Sequence, residues 1–224
     1  MKYTVSLFIL ILVGQISFAQ QKVSRNLENF HSLDAFGNLK IELRRGDSTK
    51  IVLKSDVYDL SKVKTIVEQG VLKIKSNGIG DKNEVTIVVY FKDLKDITID
   101  GGTNIFKTDT LKANDLYIKV LKGSLMSGKI NCTNLIITAN SGGEARLYGK
   151  IDRINAVANT GGLVDLMTIA AKEADLSAIS GGKINVTVTV KLTARAKLKG
   201  IISYKGNPKT ESVEPVSGGR IIKL

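Results

Sequence analysis

The residues able to do chemistry are few in kind and widely spread. His31 is the only histidine and Cys132 the only cysteine among 224 residues. A Ser–His–Asp arrangement would have to use His31, which precedes every repeat corner described below, so a satisfied or exposed imidazole is the plainer reading. One Cys with one His cannot complete a structural zinc site, and a single Cys allows no intramolecular disulfide. Nothing near Cys132 in sequence would lower its thiol pKa, so it reads as a small buried hydrophobe. No cofactor motif and no metal-ligand set emerges. The Gly-Gly-x-Gly-x-Asp nonapeptides of calcium-binding repeats are absent.

Glycosidase chemistry would need two carboxylates flanking one bond. The candidates are Asp100, Asp109, Asp115, Glu144, Asp152, Asp165, Glu173 and Asp175. Their offsets from the repeat corners mostly differ, which favours solvated surface charges. A groove that united Asp165 with Glu173 or Glu144 would favour an enzyme.

Cations offer a different chemistry. The chain carries 33 Lys and Arg against 21 Asp and Glu, a formal +12. Residues 191–224 hold eight of those cations (Lys191, Arg195, Lys197, Lys199, Lys205, Lys209, Arg220 and Lys223) against Glu211 and Glu214. Such a bias fits an anionic partner such as a glycan, lipopolysaccharide or another polyanion. Lys197, Lys199, Tyr204, Lys205 and Lys209 are the contact candidates, with Tyr204 the best single one. Nucleic acid is not favoured, because stacking aromatics are otherwise scarce. The structural alternative is that lysines on the last rungs keep another chain from adding to an open sheet edge.

The elements that must position these groups follow from glycine. The 21 Gly and 2 Pro are not scattered. Corners recur at Gly102, Gly123, Gly142, Gly161, Gly181, Lys199 and Gly218, in steps of 21, 19, 19, 20, 18 and 19 residues. Three residues before most of them lies a small or β-branched residue, among them Ala139, Ala158, Ala178 and Ala196. Five before lie Ile97, Ile118, Ile137, Ala156, Leu176, Ala194 and Val213. Alternation of apolar and polar positions flanks each corner, the mark of strands with one buried face. A unit of this size cannot bury its apolar face alone, but stacked units can, at ~4.8 Å per layer. The periodicity predicts an all-β single-stranded solenoid of ~19–20 residues per turn, with the alanines as a narrow inner column. Ser141, Thr160, Ser180 and Ser217 share one corner position. They read either as a turn-stabilising polar ladder or as a sugar-binding row.

Residues 31–98 are strand-rich but irregular. Leu39–Leu43, Lys50–Leu53, Val71–Lys75 and Val85–Tyr90 alternate, and Arg45–Ser48 and Glu68–Val71 read as hairpin turns. They form an opening set of longer strands continuous with the solenoid.

Ahead of them, Lys2 and the apolar run Val5–Val13 precede Ser17 and Ala19, the pattern of a secretory signal cut between Ala19 and Gln20. The run is short of the ~20 residues a membrane span needs. Gln20, not a cysteine, stands directly after the cut, so a lipoprotein anchor is not expected. Cleavage leaves 205 residues at +11, without a further long apolar stretch, in an exported protein of the periplasm, cell surface or exterior. The organisation read is a signal at 1–19, a short lead at 20–29, irregular strands at 30–98 and regular turns at 99–224.

Several stretches resemble the head GIN domain family, autotransporter adhesin head domains of exported bacterial proteins. They are Phe30–Leu43, Gln69–Ile74, Ile97–Gly102, the Ser/Thr-Gly-Gly corners, Ile202–Pro208 and Ser217–Ile221. The resemblance spans about residues 30–224. Asp100, Lys122 and Lys199 depart from it by replacing the Ser/Thr of the corner. It implies a right-handed β-helix-like domain in or outside the cell envelope. The expected function is a non-enzymatic, adhesin-like binding module; the alternatives are a carbohydrate-active lyase or glycosidase, or a purely structural envelope protein.

Overall fold

The computed structural model describes residues 21–76 and 85–224; the expected signal segment and its expected cut between Ala19 and Gln20 lie outside them. Seventeen strands and one 3-10 turn (Leu60–Lys62) follow in order. The irregular part holds β1 (Gln21–Asn26), β2 (Ser32–Phe36), β3 (Lys40–Arg45), β4 (Lys50–Ser55), β5 (Lys64–Glu68), β6 (Val71–Lys75), β7 (Thr86–Phe91), β8 (Asp96–Asp100) and β9 (Asn104–Thr108). The regular part holds β10 (Leu111–Leu121), β11 (Leu125–Asn140), β12 (Glu144–Asn159), β13 (Leu163–Ile179), β14 (Lys183–Lys197), β15 (Ile201–Lys205), β16 (Thr210–Val216) and β17 (Arg220–Lys223). Consecutive rungs pair in parallel from β8 onward, giving a β-solenoid of about 7 turns. No helix among the described residues is long and apolar enough to cross a membrane.

The register reproduces the glycine period. Ile97, Ile118, Ile137, Ala156, Leu176, Ala194 and Val213 stack as successive partners. Ala139, Ala158, Ala178 and Ala196 stack beside them, fully buried. At each corner two residues in succession have positive φ, for example Ser141 (50°) with Gly142 (75°) and Thr160 (47°) with Gly161 (72°). At the six corners from Lys122 onward the fourth residue's N–H returns to the first residue's carbonyl, as in Gly162 N to Asn159 O at 3.0 Å. That is the type I′ pattern. Corners also join one another, since Gly142 N donates to Thr160 O and Gly161 N to Ser180 O. The ladder therefore runs through the turns without a break.

The second glycine of each pair has a separate cause. A Cβ at Gly143, Gly162, Gly182, Gly200 or Gly219 would overlap a carbonyl of an earlier rung, at Val120, Ala139, Ala158, Ala178 and Ala196 in turn. Close approach of backbone to backbone excludes a side chain there. The first two corners hold Thr103 and Ser124 instead, both buried. Thr103 Oγ1 donates to Gly37 O at 2.6 Å.

Each regular rung has two inward-alternating legs. Between them the alternation slips where two neighbours both avoid the core: Asn114–Asp115, Thr133–Asn134, Asp152–Arg153, Lys172–Glu173 and Val190–Lys191. This far bend lies opposite the glycine corner.

The irregular part departs from sequence expectation in three ways. Its strands, at 5 or 6 residues, are shorter than β10 to β14, at 11 to 17. The rung made by β2 and β3 inserts between β6–β7 and β8–β9, so chain order and stacking order differ. Glu68–Val71 does close an antiparallel hairpin, with Gln69 and Gly70 at positive φ, but Arg45–Ser48 does not. Both edges of β3 are taken by β7 and β9, and β4 pairs antiparallel with β7 and β1. The lead segment contributes β1, which Arg25 ties down by donating to Val63 O (2.9 Å) and Thr65 Oγ1 (2.6 Å).

At the other end β16 and β17 form the outermost rung, with Val213 and Ile222 partly exposed. This edge is guarded by Pro215, which has no N–H to offer, and by Glu211, Glu214, Arg220 and Lys223. Lys197, Lys199 and Lys205 lie one rung inside it.

Candidate functional site

The five contact candidates read from the sequence do not converge. Lys197 ends β14 and Lys199 sits at the exposed corner with φ 64°. Lys205 ends β15 and Lys209 immediately precedes β16, both towards the far bend. The five residues of β15 separate the two groups by roughly 17 Å. Tyr204 is not a surface platform. Its side chain points inward on β15, only 5% exposed, because the apolar-in alternation of that strand assigns position 204 to the core. The phenol donates to Glu211 Oε2 at 3.0 Å, and Lys223 Nζ lies 5.8 Å from the ring centre. Burial and the Glu211 carboxylate raise the tyrosine pKa, while Lys223 and the Tyr204 hydroxyl lower that of Glu211. Arg195 is engaged by Glu214 at 2.7 Å.

The corner hydroxyls of Ser141, Thr160, Ser180 and Ser217 are exposed. Their shared feature is the left-handed main chain. Among the described residues only Ser141 of the four finds a side chain: its N–H donates to Asn140 Oδ1 at 2.8 Å and its hydroxyl lies 3.5 Å from the same oxygen. His31 meets the hydroxyl of neighbouring Ser32 (2.9 Å), and among the described residues no carboxylate bonds its ring.

Six of the eight candidate carboxylates are already occupied. Asp100 pairs with Lys122 at 2.8 Å, Glu144 with Arg146 at 2.9 Å and Asp152 with Lys172 at 3.2 Å. Asp109 accepts the Arg45 N–H and Asp165 the Met167 N–H. Asp115 accepts from Asn134 Nδ2 (2.6 Å) and Asn114 Nδ2 (2.9 Å), which lowers its pKa. Glu173 and Asp175 remain, exposed on β13 and two residues apart, so on one face. Asp165 lies elsewhere, beside Arg146 and Tyr148 in a small depression of about 310 Å³. The cluster that would have marked an enzyme is therefore not formed.

What does form is a groove. Two depressions, of about 620 Å³ and 460 Å³, meet at Asp115 along the far bend. In the second, Asp115, Asn134, Arg153, Glu173 and Lys191 stand in register on five successive rungs. Arg153 Nε donates to Asn134 Oδ1 at 2.9 Å, so Asp115, Asn134 and Arg153 form one hydrogen-bonded chain. Two residues further along each rung stand Tyr117, Ile136, Asn155, Asp175 and Thr193, also in register. Tyr117 and Ile136 are 42% and 38% exposed, large apolar surface on an outward face. Sequence reading missed this groove because the far bend carries no glycine signature. The available signals were the slip in alternation and a shared spacing, since Asp115, Asn134, Arg153, Glu173 and Lys191 each lie eight residues before their next corner.

The family profile described as putative auto-transporter adhesin, head GIN domain matches residues 29–208. The chain belongs to the head GIN domain family. No curated protein matches it in sequence. Among solved structures it is similar to a putative adhesin from Parabacteroides merdae, at TM-score 0.73 and 18% identity, covering 92% of this chain and 96% of that one. A putative adhesin from Bacteroides fragilis is similar at TM-score 0.71 and 17% identity, with 92% and 97% covered. A putative lipid binding protein from Parabacteroides distasonis follows at TM-score 0.64 and 21% identity, with 92% and 96% covered. At these identities the likeness speaks for the fold.

Proposed function

We propose that this head GIN protein is an exported, non-enzymatic binding module of the cell envelope or surface, an adhesin-like head whose ligand is a glycan. The observation that carries the reading is the long solvent-open groove along successive rungs, where a hydrogen-bonded polar row and Glu173 and Asp175, which have no partner among the described residues, stand beside exposed Tyr117 and Ile136. Polar groups placed around an apolar floor suit a ligand with both hydroxyls and C–H faces. Family membership and structural neighbours named as adhesins support it, and the Val5–Val13 run with the Ala19–Gln20 cut supports export. Against an enzyme stands the exposure of Glu173 and Asp175, since a glycosidase's general acid is kept protonated by a sheltered setting.

An anionic polymer such as lipopolysaccharide is the second reading, favoured by Lys197, Lys199, Lys205 and Lys209, none of which is in an ion pair among the described residues. The test is a glycan and lipopolysaccharide array probed with residues 20–224 at two salt concentrations, with bound glycans checked for cleavage. Salt-resistant binding without cleavage supports the glycan module. Binding lost at high salt or in Lys197→Glu plus Lys199→Glu supports the polyanion reading, and cleavage overturns the non-enzymatic one.

A further inference from the structure

The groove at the far bend has a property that the overall composition hides. The chain carries +12, yet the two depressions together present five carboxylates against four Lys and Arg side chains. A polyanion would gain little there, because the local charges cancel over distances shorter than the ~8–10 Å Debye length. The outward row Tyr117, Ile136, Asn155, Asp175 and Thr193 advances one residue per rung, ~4.8 Å each. That step is close to the advance per sugar of an extended pyranose chain.

We infer that this groove is the ligand site and that it takes a linear glycan of no net charge, lying along the solenoid axis with about one sugar per rung. The inference rests on the glycan-binding reading above and assigns its site and ligand class. Tyr117 and Ile136 offer apolar surface to the C–H faces of two successive sugars. Glu173 and Asp175, which have no partner among the described residues, accept from ring hydroxyls. The chain from Asp115 through Asn134 to Arg153 holds its donors and acceptors in place before the ligand arrives. Pairing of Tyr117 with Asp96 extends the row by one rung. Five steps from Asp96 to Thr193 then span about 24 Å at ~4.8 Å each, room for five or six sugars.

The test titrates residues 20–224 with neutral cello-, xylo- and malto-oligosaccharides of increasing length, by calorimetry. Salt is set at ~0.01 M and at ~1 M, between which the Debye length falls from ~30 to ~3 Å. For at least one series, affinity should climb with each added sugar, level off at five or six, and hold across the salt range. Tyr117→Ala and Asp175→Ala should each weaken binding about tenfold, the loss of one stacking or one charged hydrogen bond. Both side chains are exposed, and unchanged melting temperatures would show the fold intact. Glycan binding that ignores both variants overturns the groove while leaving the binding reading standing. Binding to anionic polymers only overturns the neutral ligand, and no binding to any glycan overturns both readings.

Discussion

Adjacent glycines at one corner should respond very differently to alanine. At Gly161 φ is 72° and an added Cβ would meet nothing within 4 Å. Its cost is therefore the left-handed conformation alone, about 1 kcal/mol, and Thr160 already tolerates φ 47° next door. At Gly162 an added Cβ would overlap the Ala139 carbonyl oxygen and lie 2.6 Å from its carbon. Ordinary carbon–carbon contact is about 3.5 Å, so the rungs would have to separate by roughly 1 Å. The neighbouring bonds Leu163 N to Gly143 O (2.9 Å) and Gly142 N to Thr160 O (3.1 Å) would be stretched past hydrogen-bonding length. Two such bonds at about 1 kcal/mol each, with overpacking of about 1 kcal/mol or more, give a loss near 3 kcal/mol. For a chain of this size the melting temperature should drop by about 6–12 °C for Gly162→Ala and by about 2–4 °C for Gly161→Ala. Thermal and chemical melts followed by far-ultraviolet circular dichroism would measure both. Equal losses, or a larger one at Gly161, would refute the close-approach account of the second glycine.

Other consequences follow from single side chains. The Cys132 thiol is buried, and burial pushes its pKa up to about 11, so thiol reagents at neutral pH should label it only after unfolding; rapid labelling of the native protein would contradict its placement. Asp115 has its carboxyl pKa lowered by Asn134 and then Asn114, so its stabilisation is present above the unfolded value of about 3.9 and is lost as pH falls through the lower folded value. Asp115→Asn should accordingly flatten the acid limb of the stability profile below about pH 4 and lower stability at neutral pH without changing its pH dependence there, which denaturant midpoints across pH would reveal. Tyr204→Phe removes the bond to Glu211 at the last closed rung and should cost about 1 kcal/mol, read as an earlier denaturation midpoint with no change in the slope.

The regular solenoid was readable because its cause is periodic. Seven glycine corners fix the step, and the column Ala139, Ala158, Ala178 and Ala196 fixes how close the legs lie. The irregular part was not readable to the same degree. Alternation in Leu39–Leu43 and Val85–Tyr90 identifies strands, but nothing local records that β7 slips in beside β3 and displaces β4. Those pairings are decided by which edges stay free after the later rungs stack. The same limit applies to the site. Tyr204 looked like a contact because it neighbours lysines in sequence, whereas the strand's inward alternation buries it. Asp115 and Glu173 each lie eight residues before their next corner, Gly123 and Gly181, with Asp175 two residues further on, so their common register was legible when counted along the second leg of each rung. Along the first leg it is hidden, because β13 carries one more residue than β12 where the register shifts between Arg146 and Arg153. Local patterns give the strands, and long-range stacking chooses which side chains meet.

The central claim is that this head GIN domain engages a glycan without transforming it. The most direct measurement is binding of fluorescent residues 20–224 to isolated cell envelopes treated beforehand with periodate, which cleaves vicinal diols of sugars, or with protease. The account predicts that periodate abolishes binding and protease leaves it intact. Binding destroyed by protease and indifferent to periodate would contradict it.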